Sequence, residues 1–127
     1  MRERALCRLA AVAIVAAGAV HLKLWLVDGY RSVHVIGPLF LANAVAAFIL
    51  GALLFLRDAT PLMLAGAGYA AATLAAFVIA VYHGLFGFDA VLHGTAQTLA
   101  GAAELAALLL LGAALAQRFA LRGSHRW

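Results

Sequence analysis

Four apolar runs, each long enough to cross a bilayer, constrain this chain more than any other feature. They fall at about residues 5–27, 33–56, 61–83 and 93–117. A helix needs about 20 predominantly apolar residues to span the hydrocarbon core. Backbone groups in lipid must find their partners internally, so only helices and closed barrels cross. Ala, Leu and Val dominate the runs and no alternating strand pattern interrupts them, which leaves helices. The whole chain agrees, with 67% hydrophobic and 11% charged residues over 127 positions. That lies outside the range of soluble domains and within the length of a single one. The expected fold is all-α: an integral membrane four-helix antiparallel bundle forming one transmembrane domain, residues 1–127.

The punctuation between the runs is legible. The basic start followed by Ala17-Gly18-Ala19 imitates a signal peptide, but the apolar run continues through Leu24, Trp25, Leu26 and Val27 to full span length. Asp28-Gly29-Tyr30-Arg31 is a turn, and Ser32 is placed to cap the second helix. Pro38 falls near the first turns of that helix, where a proline costs least. Thr60-Pro61 reads as N-cap and first position of the third. Residues 84–92 form a Gly- and aromatic-rich connection, with Phe86 and Phe88 as interfacial anchors. The spaced small residues Ala42/Ala46, Gly66/Ala70 and Ala102/Ala106 read as close helix packing.

The net charge of +4 has a topological rather than a nucleic-acid reading. With four spans, Arg2, Arg4, Arg8, Arg57, Arg118, Arg122 and Arg126 share one face, while only Lys23 and Arg31 fall on the other. Basic residues mark the cytoplasmic side. The expectation is a multi-pass protein of the inner (plasma) membrane with both termini cytoplasmic and the lipid bilayer as its first partner. The single Cys7 allows no internal disulfide and no cysteine metal motif.

That topology gathers four histidines, His21, His34, His83 and His93, in the outer half. His93, Gln97, Gly101 and Glu104 form one stripe of the last helix. From a rise of about 1.5 Å per residue, Glu104 lies roughly 15 Å deeper than His93, and His21 roughly 9 Å inside the end of its helix. Ionisable residues inside a span face the bundle interior and mark functional sites. A His21–Glu104 contact, direct or through water or metal, is therefore expected. His21, Trp25 and Asp28 share an arc, with Lys23 on the opposite side snorkelling outward. Tyr69, Ala76 and His83 share a face of the third helix, and Asn43 is read as interhelical glue or an oligomer contact.

Taken singly, each outer histidine reads as an interface residue satisfied by a hydrogen bond. Four at one end, with a deep carboxylate, read as a polar site. Imidazoles with a carboxylate suit a transition metal such as Zn, Cu, Fe or Ni, with His21, His93 and Glu104 as ligands. Histidines on facing helices also suit haem b, for which His21, His34, His83 and His93 are the candidate cofactor-binding set. No HxxxH, ExxH or HExxH motif is present.

The stretch HLKLWLVDGYRSVHVIGPLFLANAVAAFILG resembles uncharacterised small four-span integral membrane proteins of high-GC bacteria. The shared pattern is a histidine late in the first helix, a Tyr-Arg turn and Ile-Gly-x-Leu-Phe opening the second. Here these are His21, Tyr30-Arg31 and Ile36-Gly37-Pro38-Leu39-Phe40. The resemblance covers the first half of the chain. It implies the four-span fold, places His21 and Arg31 within the pattern, and implies no activity.

The function expected from these residues is a membrane protein with an outward-facing His/Glu polar site, metal- or haem-binding or otherwise redox-associated. Two alternatives are an accessory or scaffold subunit of a larger membrane complex, and a small transporter or channel formed by self-association. No nucleophile–base arrangement points to an enzyme.

Overall fold

The computed structural model describes residues 2–90 and 94–124. Four long helices carry nearly all of it: α1 Arg2–Leu26, α2 Ile36–Leu56, α3 Thr60–Tyr82 and α4 Thr95–Ser124. A short 3₁₀ turn, Tyr30–Ser32, lies between α1 and α2. All four helices are long and apolar enough to cross a membrane. α1 is the centre of the bundle, packing along both α2 and α4, and α3 packs mainly on α4. Contact between α2 and α3 is sparse.

The helix ends differ from the sequence expectations for identifiable reasons. α2 begins at Ile36, not 33, which puts Pro38 in the first turn. A start at 33 would place Pro38 where its nitrogen owes a hydrogen bond to His34 and its ring meets that carbonyl. Ser32 consequently does not cap α2; its hydroxyl donates to the Gly29 carbonyl at 2.9 Å. Ala59, not Thr60, occupies the N-cap of α3. The Thr60 hydroxyl instead accepts from Arg118 Nη1 at 2.9 Å. α4 runs to Ser124, several residues past its expected end at 117. Arg118 holds those extra turns by reaching Glu3 of α1 and the carbonyl of Asp58. Ala102 and Ala106 face outward rather than into a helix contact.

The two ends of the bundle are built differently. Where α1 starts, α2 passes to α3 and α4 finishes, the interior is dense. Cys7, Ile14, Leu54, Met63 and Leu111 are fully buried there, interleaved with Ala10, Ala70, Ala107 and Ala114. A Cβ on Gly66 would stand 2.8 Å from the tips of both Leu54 and Leu111 and 3.3 Å from Ile14, so only hydrogen fits. Ionic contacts close this end: Arg118 binds Glu3, and Arg4 reaches Asp58 at 3.4 Å. At the other end the 3₁₀ turn and the 84–90 connection cover the helices.

Candidate functional site

A cavity of about 390 Å³ lies beneath the 3₁₀ turn and the 84–90 connection, and all four helices line it. Its walls are mostly apolar, from Leu24, Ile36, Ala76, Phe77 and Ala80 among others. Its polar groups are His21, Tyr30, Asn43, Tyr69, Thr73, Gln97 and Glu104. An apolar chamber with a few converging polar groups is the usual make-up of a small-molecule site.

Local turns position the roof. The carbonyls of Tyr30 and Arg31 sit against Gly37, where a Cβ would lie 2.7 and 2.6 Å from them. A side chain at position 37 would push the turn away, so the Tyr-Arg turn and the Ile-Gly pair are two sides of one contact. It sets Tyr30 over Phe40, with ring centroids 5.4 Å apart. The 84–90 connection folds back as a two-residue turn in which Leu85 and Phe88 exchange both backbone hydrogen bonds. Phe86 and Gly87 adopt positive φ of 50° and 77°, as such a mirror-image turn requires. The Ala90 amide then bonds the Ala80 carbonyl at 3.1 Å. Phe88 is thereby set edge-on to Tyr30 and Phe40, at 5.6 and 6.4 Å. Phe88 is a wall of the cavity rather than an outward-facing anchor, whereas Phe86 is 65% exposed.

The floor is polar. The Tyr69 hydroxyl donates to Asn43 Oδ1 at 2.7 Å, and Asn43 Nδ2 donates to the Thr73 hydroxyl at 3.4 Å. Thr73 in turn donates to the Tyr69 carbonyl at 2.7 Å. This chain ties α2 to α3 where their apolar contact is sparse. It gives Asn43 the interhelical reading expected from sequence, now with named partners. Glu104 lines the same chamber, only 2% exposed, and its Oε1 has no hydrogen-bond partner.

His21 is 8% exposed and lines the cavity from α1. Its Nδ1–H donates to the Ala17 carbonyl at 2.8 Å, and its ring meets Phe40 edge-on at 5.2 Å. His21 and Glu104 therefore share one chamber, as their depths predicted, but no direct hydrogen bond joins them. The His21 ring is rotated back along α1, so its Nδ1–H is taken by the carbonyl one turn earlier. Asp28 does not join the His21 arc either; it pairs with Lys23 at 3.1 Å on the exposed side.

The remaining sequence candidates divide. Gln97, Gly101 and Glu104 of the α4 stripe all face the cavity, with Tyr69 and Ala76 of α3. His34, in the turn before α2, and His83, at the end of α3, are exposed and line none of it. His93 lies outside the described residues, as does His125. Among the described residues no group of three or more His, Cys, Asp or Glu is placed to hold a metal ion. The four-histidine cofactor set thus reduces, among described residues, to His21, and the metal set to His21 and Glu104. Sequence reasoning missed Phe40, Thr73 and Tyr30 as parts of the site. Tyr69 and Thr73 one turn apart, opposite the lone amide of α2, were the available signal.

No protein-family model, curated protein or solved structure matches the chain.

Proposed function

We propose that this protein is a multi-pass membrane protein of the plasma membrane that binds a small amphipathic molecule in the chamber between its helices. In this reading the bundle is antiparallel, both termini are cytoplasmic, and the chamber lies in the outer half. The arginine bias supports the orientation: Arg2, Arg4, Arg8, Arg57, Arg118 and Arg122 cluster at the densely packed end. The observation that carries the binding reading is Glu104. A carboxyl group buried in an apolar setting with an unpartnered oxygen is costly. It is retained where a ligand uses it. Imidazole, amide, phenol and hydroxyl groups around the same chamber offer further bonds to a polar head, and the alanine and aromatic walls accept an apolar body.

A metal centre or haem in this place would draw on His21 and Glu104, with His34 and His83 at the surface. Among the described residues, which exclude His93, that donor set supports the organic ligand better than the metal. The test is direct. Protein purified in mild detergent is denatured, and its released small molecules, metals and absorption spectrum are measured. A stoichiometric organic molecule in the wild type, lost in Ala76→Trp, supports the proposal. Stoichiometric transition metal or a Soret band replaces it with the metal or haem reading. A reporter fused at Arg57 that reads extracytoplasmic overturns the orientation.

A further inference from the structure

Resting on the reading of the chamber as a binding site, we infer that its ligand is a hydrophobic amine, held as a cation by Glu104. The chamber has a carboxyl group and, among its described lining residues, no fixed counter-charge. The titratable groups facing it are His21 from α1, Tyr30 from the 3₁₀ turn, and Tyr69 from α3. Neither lysine nor arginine lines it among the described residues. Lys23, the cation nearest in sequence to His21, is spent on Asp28 at the surface. His21 commits its Nδ1–H to Ala17 and not to the carboxylate. Of the described donors at the chamber, His21 Nδ1–H and the Tyr69 hydroxyl are engaged elsewhere and Tyr30 and Gln97 are uncharged, so the strongest bond left for Glu104 is one to a cation.

The walls fit the same chemistry. Tyr30, Phe40, Phe77 and Phe88 present aromatic rings to the chamber, and ring faces attract cations within about 6 Å. An anionic ligand would meet the Glu104 carboxyl group and, among the described lining residues, no lysine or arginine, with His21 the one imidazole. A neutral alcohol would use one oxygen of Glu104 and gain nothing from the rings. The volume of about 390 Å³ suits a molecule with one ring and a short chain.

The experiment uses a matched series on the intact protein in a non-ionic detergent: 4-phenylbutylamine, its trimethylammonium counterpart, 4-phenylbutanol and 4-phenylbutyrate. Affinities are read by calorimetry, with Ala76→Trp as the filled-cavity blank for partition into the micelle. The expected order is amine tightest, with an advantage of about tenfold over the alcohol, about 1.4 kcal/mol for pairing a cation rather than a neutral donor with the carboxylate. The carboxylate is expected to bind no better than it does to the blank. Glu104→Gln is expected to erase the amine's advantage and leave alcohol binding within about threefold. If Glu104→Gln does not fold, the wild-type order decides alone. An alcohol or carboxylate that matches or exceeds the amine overturns this inference and leaves the binding chamber standing. A wild type that binds none of the four above the blank, and retains no small molecule on purification, overturns both.

Discussion

The two halves of this bundle use the same residue types to opposite ends. In the dense half, alanines and Gly66 are met by Ile14, Leu54, Met63 and Leu111, and the helices close upon one another. In the other half, Ala42, Ala46, Ala72, Ala76, Ala80 and Ala100 are also small residues on facing helices, but they look into an unfilled chamber. Small side chains allow close approach; they do not compel it. What decides is the complement on the facing helix and the bonds that set the spacing. In the dense half the complement is a set of long aliphatic chains. In the chamber half, α2 and α3 are spaced by the Asn43–Tyr69–Thr73 hydrogen bonds, and the aromatic roof closes the end without filling the middle. Lipid supplies no hydrophobic drive to collapse such a space, since lipid tails are as apolar as leucine.

The contrast can be broken by one kind of substitution made twice. Gly66→Leu inserts four carbons where a Cβ already collides with Leu54 and Leu111. It is expected to cost about 3 kcal/mol or to prevent folding, as overpacking does. Ala76→Leu inserts a side chain into open volume and is expected to change stability by less than about 1 kcal/mol while abolishing ligand retention. Reversible unfolding in mixed micelles compares them; equal losses would mean the halves are packed alike. A smaller effect of opposite sign is expected at the chamber's carboxyl group. Glu104→Met replaces an unpartnered buried group with an apolar one of similar size and is expected to gain about 1–2 kcal/mol in the empty protein, with binding lost. A destabilised Glu104→Met would mean that the carboxyl has a structural partner.

Much of the architecture was legible because bilayer thickness turns an apolar run into a helix of known length. All four helices were expected, and their chain order follows. Glu104 and His21 were singled out because depth along a helix follows from residue count alone, which is why both fall in one chamber. What sequence did not reveal was the partnering. Whether His21 would turn to Glu104 or to the Ala17 carbonyl depends on side-chain rotation, which residue spacing leaves open. His34 and His83 stood within the expected level yet proved exposed, because level along the membrane normal says nothing of azimuth in a turn or at a helix end. Phe88 was taken for an anchor because the fold-back of the 84–90 connection depends on positive φ at Phe86, an unusual conformation for a bulky residue. Arg118 was counted as a topology signal, and its capture by Glu3 and Asp58 joins residues more than fifty positions apart or further in sequence.

Tyr69→Phe removes one interhelical hydrogen bond, 2.7 Å long, and leaves the ring. Such bonds in membrane bundles average about 0.6 kcal/mol, so the loss in stability should be of that size. If the hydrogen bonds hold α2 and α3 apart at the chamber, Asn43→Ala should have a similar effect, and Tyr69→Phe with Asn43→Ala should cost little more than either alone. Additive losses would show that the two groups act independently and would remove the spacing argument.

The smallest effect belongs to the ionic end. Asp58, in the link between α2 and α3, has its carboxyl held below the usual aspartate range, first by its own backbone N–H and then by the Arg4 guanidinium, with burial opposing. A carboxylate depressed on folding contributes stability that is complete above its unfolded value and is lost as pH falls through the folded one. The melting temperature should therefore be insensitive to this group from pH 8 down to about 5, then decline below about pH 4. Because the side chain is 36% exposed, the contribution is that of a surface pair, a few tenths of a kcal/mol. Asp58→Asn should flatten that part of the acid slope, and high salt should flatten it in the wild type. A slope unchanged by both would place the acid sensitivity elsewhere, with Glu3 against Arg118 the next pair to examine, since both side chains are under 20% exposed and salt would screen them less.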